Sequence, residues 1–97
     1  MATSYTKEFK REAAELVLDK GYTQKEAREA MGVSKSSLSH WVKQLREERA
    51  GITPDNRKAF TEEHQEIQQL KAKIKKLERE KEILKKASAL LMLDSYH

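Results

Sequence analysis

An all-α fold, three short helices followed by one long one, is predicted by three features of this sequence. Leu70, Leu77, Leu84 and Leu91 recur every seven residues, and Ile67 and Ile74 each stand three positions before one of them. That 3–4 spacing is the heptad of a helix built to pair with another. The first fifty residues hold amphipathic segments with helical spacing, separated by Gly21 and Gly32. No segment alternates polar and apolar residues as a half-buried strand would.

Each element has its own signals. Phe9, Ala13, Leu16 and Val17 share one helix face, Thr6 can cap it, and Gly21 is a natural stop, predicting a helix over about residues 6–20. Thr23-Gln24-Lys25-Glu26 has the form of a capping box, so a second helix should run from Gln24 to about Met31. Gly32-Val33 breaks it. Ser34 then caps a third helix through KSSLSHWVKQLREER, fading near Ala50-Gly51. Ile52–Lys58 holds the only proline and has turn chemistry. Thr61 should cap the last helix, with Glu62 and Glu63 favourably placed in its first turn. The expected division is a domain over 1–50, a linker over 51–60 and an association helix over 61–97.

The segment TQKEAREAMGVSKSSLSHWVKQL fits a helix-turn-helix unit: a short capped helix, a glycine-containing turn and a second capped helix. Ala27, Met31, Val33, Leu38, Trp41 and Leu45 occupy the positions that pack it. From Ser34 to Arg46 there is no acid, although the chain has 16. Lys35, Ser36, Ser37, Ser39, His40, Lys43, Gln44 and Arg46 are the candidate DNA contacts, suited to the phosphates and base edges of a duplex major groove. An inert three-helix bundle is the alternative, and the acid-free third helix argues against it. Trp41 is assigned to packing. His40 is assigned to DNA rather than to a metal, because His64 and His97 lie far from it in sequence.

With Ile67 and Ile74 at position a and the leucines at d, Phe60, Lys81 and Ser88 also fall at a. Leucine at d with a β-branched residue at a favours a parallel dimer. Across such a dimer Glu66 faces Lys71, Lys73 faces Glu78 and Glu80 faces Lys85, all attractive. The association set is Ile67, Leu70, Ile74, Leu77, Lys81, Leu84 and Leu91. Lys81 costs stability at a but disfavours larger bundles. Beyond Leu84, Ala87, Leu90, Met92 and Leu93 widen the apolar face beyond a clean two-stranded seam. A helix folded back on the N-terminal domain is the competing arrangement. A basic-zipper arrangement is excluded because ITPDNRK interrupts the helix between the basic region and the heptads.

Composition bounds the function. Ninety-seven residues, 37% of them charged, leave room for only a small core and no large catalytic cleft. The net charge of +4 divides evenly between the two halves, so pattern rather than total charge must identify a nucleic-acid partner. Without cysteine there is no disulfide, thiolate metal site or thiol nucleophile. No apolar run approaches a membrane span, and MATSYTKEFKRE lacks the apolar stretch of a signal peptide. The expectation is a soluble intracellular protein with no catalytic residues, metal site, cofactor or membrane partner.

Three stretches in order, EFKREAAELVLDKGYT, AMGVSKSSLSHWVKQLREER and EREKEILKKASALLMLDS, resemble the upstream-frame protein, OrfA, of a large family of bacterial insertion sequences. The resemblance covers nearly the whole chain and is most specific in HWVKQLR and EILKKASALLM. It implies a helix-turn-helix that recognises the element's terminal inverted repeats and a leucine zipper for self-association. It also implies a partner, the full-length transposase made by frameshifting, in which the same N-terminal part is fused to a metal-dependent strand-transfer domain. Such a protein would be bacterial, cytoplasmic and nucleoid-associated. Arg28 departs from the family pattern, standing where a small alanine is usual and putting a tight helix crossing in question. A dimeric transcriptional repressor unrelated to mobile DNA is the other function that these residues allow.

Overall fold

The computed structural model describes residues 4–95, which form α1 (Lys7–Leu18), α2 (Gln24–Met31), α3 (Lys35–Arg49) and α4 (Glu62–Ser95). Residues 1–3, 96 and 97 at the ends of the expected intervals lie outside the described residues, as does the side chain of Leu93.

Local hydrogen bonding sets each helix start. The Thr6 hydroxyl accepts from the Phe9 N–H at 3.1 Å, and Ser34 Oγ accepts from the Ser37 N–H at 3.2 Å. Thr23 and Glu26 form the reciprocal capping box, both bonds at 3.1 Å. At α4, Thr61 Oγ1 accepts a longer bond from the His64 N–H, at 3.4 Å. Each cap satisfies an N–H that the helix itself leaves unpaired. α2 ends on Gly32, at φ 67° and ψ 38°. A Cβ there would meet nothing within 4 Å, so the demand for glycine comes from the left-handed backbone rather than from crowding.

The first three helices pack on one another around Leu38, Val42 and Leu45. Ala13, Ala14 and Ala27 are completely buried, and their small side chains permit close helix approach. Ala27, beside Arg28, therefore makes the α2 crossing, while Arg28 stays half-buried at the rim. Val33 and Trp41 are also buried, and Met31 packs partly exposed against the same core. Trp41 meets Tyr5 edge-on at 5.3 Å and Phe9 at 6.1 Å, and Tyr5 stacks on Phe9 at 5.0 Å. The far ends of α1 and α3 are tied by Arg49, which donates two bonds to Asp19 at 2.6 and 2.7 Å. Those bonds, above all, hold the Asp19 carboxyl below the ordinary aspartate range.

Residues 52–61 are folded against the helical head rather than extended. Ala59 and Phe60 are buried, and Phe60 joins the head core. The heptad register would instead have placed Phe60 on the association seam. The residue is drawn inward because Glu48, buried on α3, accepts from the Phe60 N–H at 2.9 Å and from the Thr61 N–H at 2.9 Å. Arg11 on α1 donates to the Phe60 carbonyl at 3.0 Å. His64 of α4 is buried as well, with Nδ1 2.6 Å from Thr53 Oγ1 and Nε2 2.7 Å from the Glu48 carbonyl. A carbonyl can only accept, so Nε2 carries a hydrogen. In the neutral ring Nδ1 then accepts from the Thr53 hydroxyl.

Beyond its first two turns α4 leaves the head, giving a molecule 75 × 32 × 16 Å. Leu70, Ile74, Leu77, Leu84 and Leu91 are each more than half exposed along it, and Ile67 is half-buried near the base. Among the described residues no helix is long and apolar enough to cross a membrane.

Candidate nucleic-acid interface

The sequence-predicted contacts on α3 divide into three groups. Lys35, Ser36, His40, Lys43 and Arg46 are exposed. Lys43 lies 3.8 Å from Glu47, one turn on, in an ion pair that solvent weakens. Ser37 and Ser39 are half-buried. Ser37 Oγ accepts from Ser34 Oγ at 2.9 Å, and Ser39 Oγ donates to Gln24 Oε1 of α2 at 3.1 Å. Both serines therefore serve the cap and the turn as well as facing outward.

Gln44 departs from its expected place on the outer face. It is buried, and its amide donates to Glu48 Oε2 at 2.8 Å and to the Lys58 carbonyl at 2.9 Å. An amide committed to two internal acceptors is not free to read a base. Helical spacing placed Gln44 opposite the apolar stripe, but residues 57–60 fold over that flank of α3 and cover it.

Two basic walls stand beside the exposed face. On one side Lys25 and Arg28 of α2 border a depression with Lys35. On the other is a cleft of about 750 Å³ whose lining includes Lys7 and Lys10 of α1, Ser37 and His40 of α3, and Arg57 and Lys58. Glu8 also lines it, 4.0 Å from Lys7. Lys10, Arg57 and Lys58 form no ion pair among the described residues, and Arg57 and Lys58 are exposed. Four cations against the one acid Glu8 give this cleft a net positive lining, which favours a polyanion.

Sequence reading did not single out Glu48, which organises this flank. Burial, the largest single influence, pushes its carboxyl up. Bonds from the Thr61 N–H, the Gln44 amide, the Phe60 N–H and the Thr61 hydroxyl together outweigh it, and the carboxyl is held below the ordinary glutamate range. Among the described residues no group of three or more His, Cys, Asp or Glu side chains is disposed to hold a metal ion.

The profile of a family described as Transposase, a helix-turn-helix type, matches residues 1–87. In Escherichia coli strain K12, the chain named for transposase InsN of insertion sequence element IS911A is 48% identical over 85 residues. That match covers 88% of this chain and 63% of the relative, so this chain spans under two thirds of that relative's length. The corresponding InsN chain of element IS911B is 47% identical over 83 residues, covering 86% of this chain and 93% of the relative. No solved structure matches the chain significantly. An all-helical head with a capped helix-turn-helix, a basic surface on its third helix and a family match over most of its length lead to one assignment: the chain belongs to this transposase family.

Proposed function

We propose that the chain is the DNA-binding, non-catalytic component of an insertion-sequence transposase, recognising the terminal inverted repeats of the element that encodes it. The observation that carries this reading is the outer face of α3. It is acid-free from Ser34 to Arg46, exposes Lys35, Ser36, His40 and Lys43, and is flanked by basic walls. An α-helix about 10–12 Å across fits the B-DNA major groove, about 12 Å wide. With α3 in the groove, His40 and Ser36 are the candidates for base edges, and Lys35 and Lys43 for phosphates. Gln44 stays with the fold, and Arg46 lies at the far end of the helix.

The stripe of Leu70, Ile74, Leu77, Leu84 and Leu91, left bare in one chain, supports self-association as a parallel coiled coil. The same stripe would pair this chain with a longer transposase product sharing its N-terminal part, in which strand-transfer chemistry resides. Footprinting on DNA flanking the gene tests the reading. Protection of the terminal repeats, lost in a His40→Ala/Lys43→Ala variant, is expected. Equal protection of every sequence would refute end recognition. Incubation with the same ends and Mg²⁺ or Mn²⁺ should give complexes without nicked or joined products.

A further inference from the structure

The segment between α3 and α4 does more than connect them. Its backbone is anchored from both sides. Gln44 of α3 donates to the Lys58 carbonyl at 2.9 Å, and Gln68 of α4 donates to the Arg57 and Pro54 carbonyls, both at 2.7 Å. The Ala59 N–H returns a bond to Gln68 Oε1 at 3.0 Å. Polar side chains thus hold the backbone of residues 54–59 in one conformation, while the side chains of Arg57 and Lys58 point into solvent without an acidic partner. A loop whose backbone is held by these bonds, while it presents two cations that form no ion pair among the described residues, is preorganised to receive an anion.

The position of those cations identifies the anion. Arg57 and Lys58 share a cleft with Lys7, Lys10, His40 and the single acid Glu8. Arg57 also borders a shallower depression with His40 and Lys43, where Glu47 is paired with Lys43 and Asp55 lines the rim. They therefore stand immediately beside the exposed face of α3, opposite the Lys25–Arg28 wall. A duplex seated on α3 must carry a sugar-phosphate strand along each side of its groove. On that geometry Arg57 and Lys58 would lie along the strand on this side. Resting on the DNA-binding reading above, we propose that the segment 56–58 is a phosphate clamp on the strand flanking the recognition helix. Gln68 acts as its positioning residue from the base of α4. The clamp contributes sequence-independent affinity, and base preference stays with α3.

The test measures binding of the full chain to two duplexes of equal length across a salt series. One duplex carries the ends of the element that encodes the chain, and the other has unrelated sequence. Arg57→Ala/Lys58→Ala should weaken binding to both duplexes by the same factor, roughly tenfold or more at low salt. The slope of log affinity against log salt should become shallower by about two, as two phosphate contacts are lost. Gln68→Ala, which removes no charge, should weaken both duplexes in the same ratio. Lys76→Ala/Lys86→Ala, which removes equal charge far along α4, should leave the slope unchanged. Wild-type binding with an unaltered slope in the loop variant overturns the clamp and leaves DNA binding intact. A loop variant that changes the preference between duplexes shows base reading and also overturns it. A wild-type chain that binds neither duplex overturns the DNA-binding reading itself. Thermal melting of each variant shows whether the head remains folded, and Arg57→Lys, which keeps the charge, should retain the wild-type slope even if the alanine pair destabilises the loop.

Discussion

Glu48 receives both the backbone N–H and the hydroxyl of Thr61, at 2.9 and 3.0 Å, so one buried carboxylate of α3 fixes the residue that caps α4. Removing that carboxylate leaves several buried donors unpaired at once. Glu48→Ala should destabilise the head by about 2–4 kcal/mol at neutral pH, measured by urea unfolding. The pH dependence follows from the direction of its shift. A carboxyl held below its ordinary value stabilises the fold fully above that value and loses the contribution as pH falls through the folded one. The difference between wild type and Glu48→Ala should therefore be largest near neutrality and shrink in acid. A gap that widens in acid would contradict the assignment.

Trp41→Ala should cost about 3–5 kcal/mol, because the ring is buried and packs edge-on against both Tyr5 and Phe9. Chemical denaturation followed by far-ultraviolet circular dichroism measures this loss. A variant that melts with the wild type would show that the aromatic cluster does not hold the head.

Gln44 and His40 should separate stability from recognition. Gln44→Ala should destabilise by about 1–3 kcal/mol, because Glu48 Oε2 and the Lys58 carbonyl each lose the bond that the Gln44 amide donates, without altering the preference between DNA sites. His40→Ala should leave the melting curve unchanged and shift that preference by about 1–3 kcal/mol if it meets a base edge. The reverse pattern would return Gln44 to the DNA face.

The carboxyl of Asp19 should titrate below the ordinary aspartate range in wild type and move back toward it in Arg49→Ala. Carbon-detected nuclear magnetic resonance reads this shift directly. An unchanged midpoint would mean that the bidentate pair does not persist in solution.

The coiled-coil proposal has its own check. Sedimentation at micromolar concentration should find the wild type at least dimeric and a Leu70→Ala/Leu77→Ala variant largely monomeric. Each leucine truncation should cost roughly 2–5 kcal/mol where the side chain is well buried in the dimer. A wild type that remains monomeric would refute the seam.

The helices were legible because their signals are local. Thr6, Thr23 and Ser34 cap within three residues of themselves, and Gly32 needs only its own backbone conformation. Apolar spacing likewise placed Leu38, Trp41 and Leu45 in the core. The flank beside α3 was not legible. Glu48, Thr53, His64 and Gln68 are polar residues satisfying one another and distant backbone groups, and such pairings carry no periodicity. Turn chemistry in ITPDNRK announced a break in the helix but not where its backbone bonds would go. The misplacement of Gln44 and Phe60 follows from that single omission, because the segment covering the first is the one that draws in the second.

The buried His64, wedged between Thr53 and the Glu48 carbonyl, has a consequence for how two such molecules would meet a duplex. With the base of α4 hydrogen-bonded to the head, the long helix leaves it in a set direction rather than from a free tether. Two heads mounted on such paired helices would face DNA at one separation and one rotational phase. Inserting about five base pairs between two sites, half a helical turn, would rotate the second site to the opposite side of the duplex. Paired binding should then collapse, and an insertion of about ten should restore the phase but not the distance.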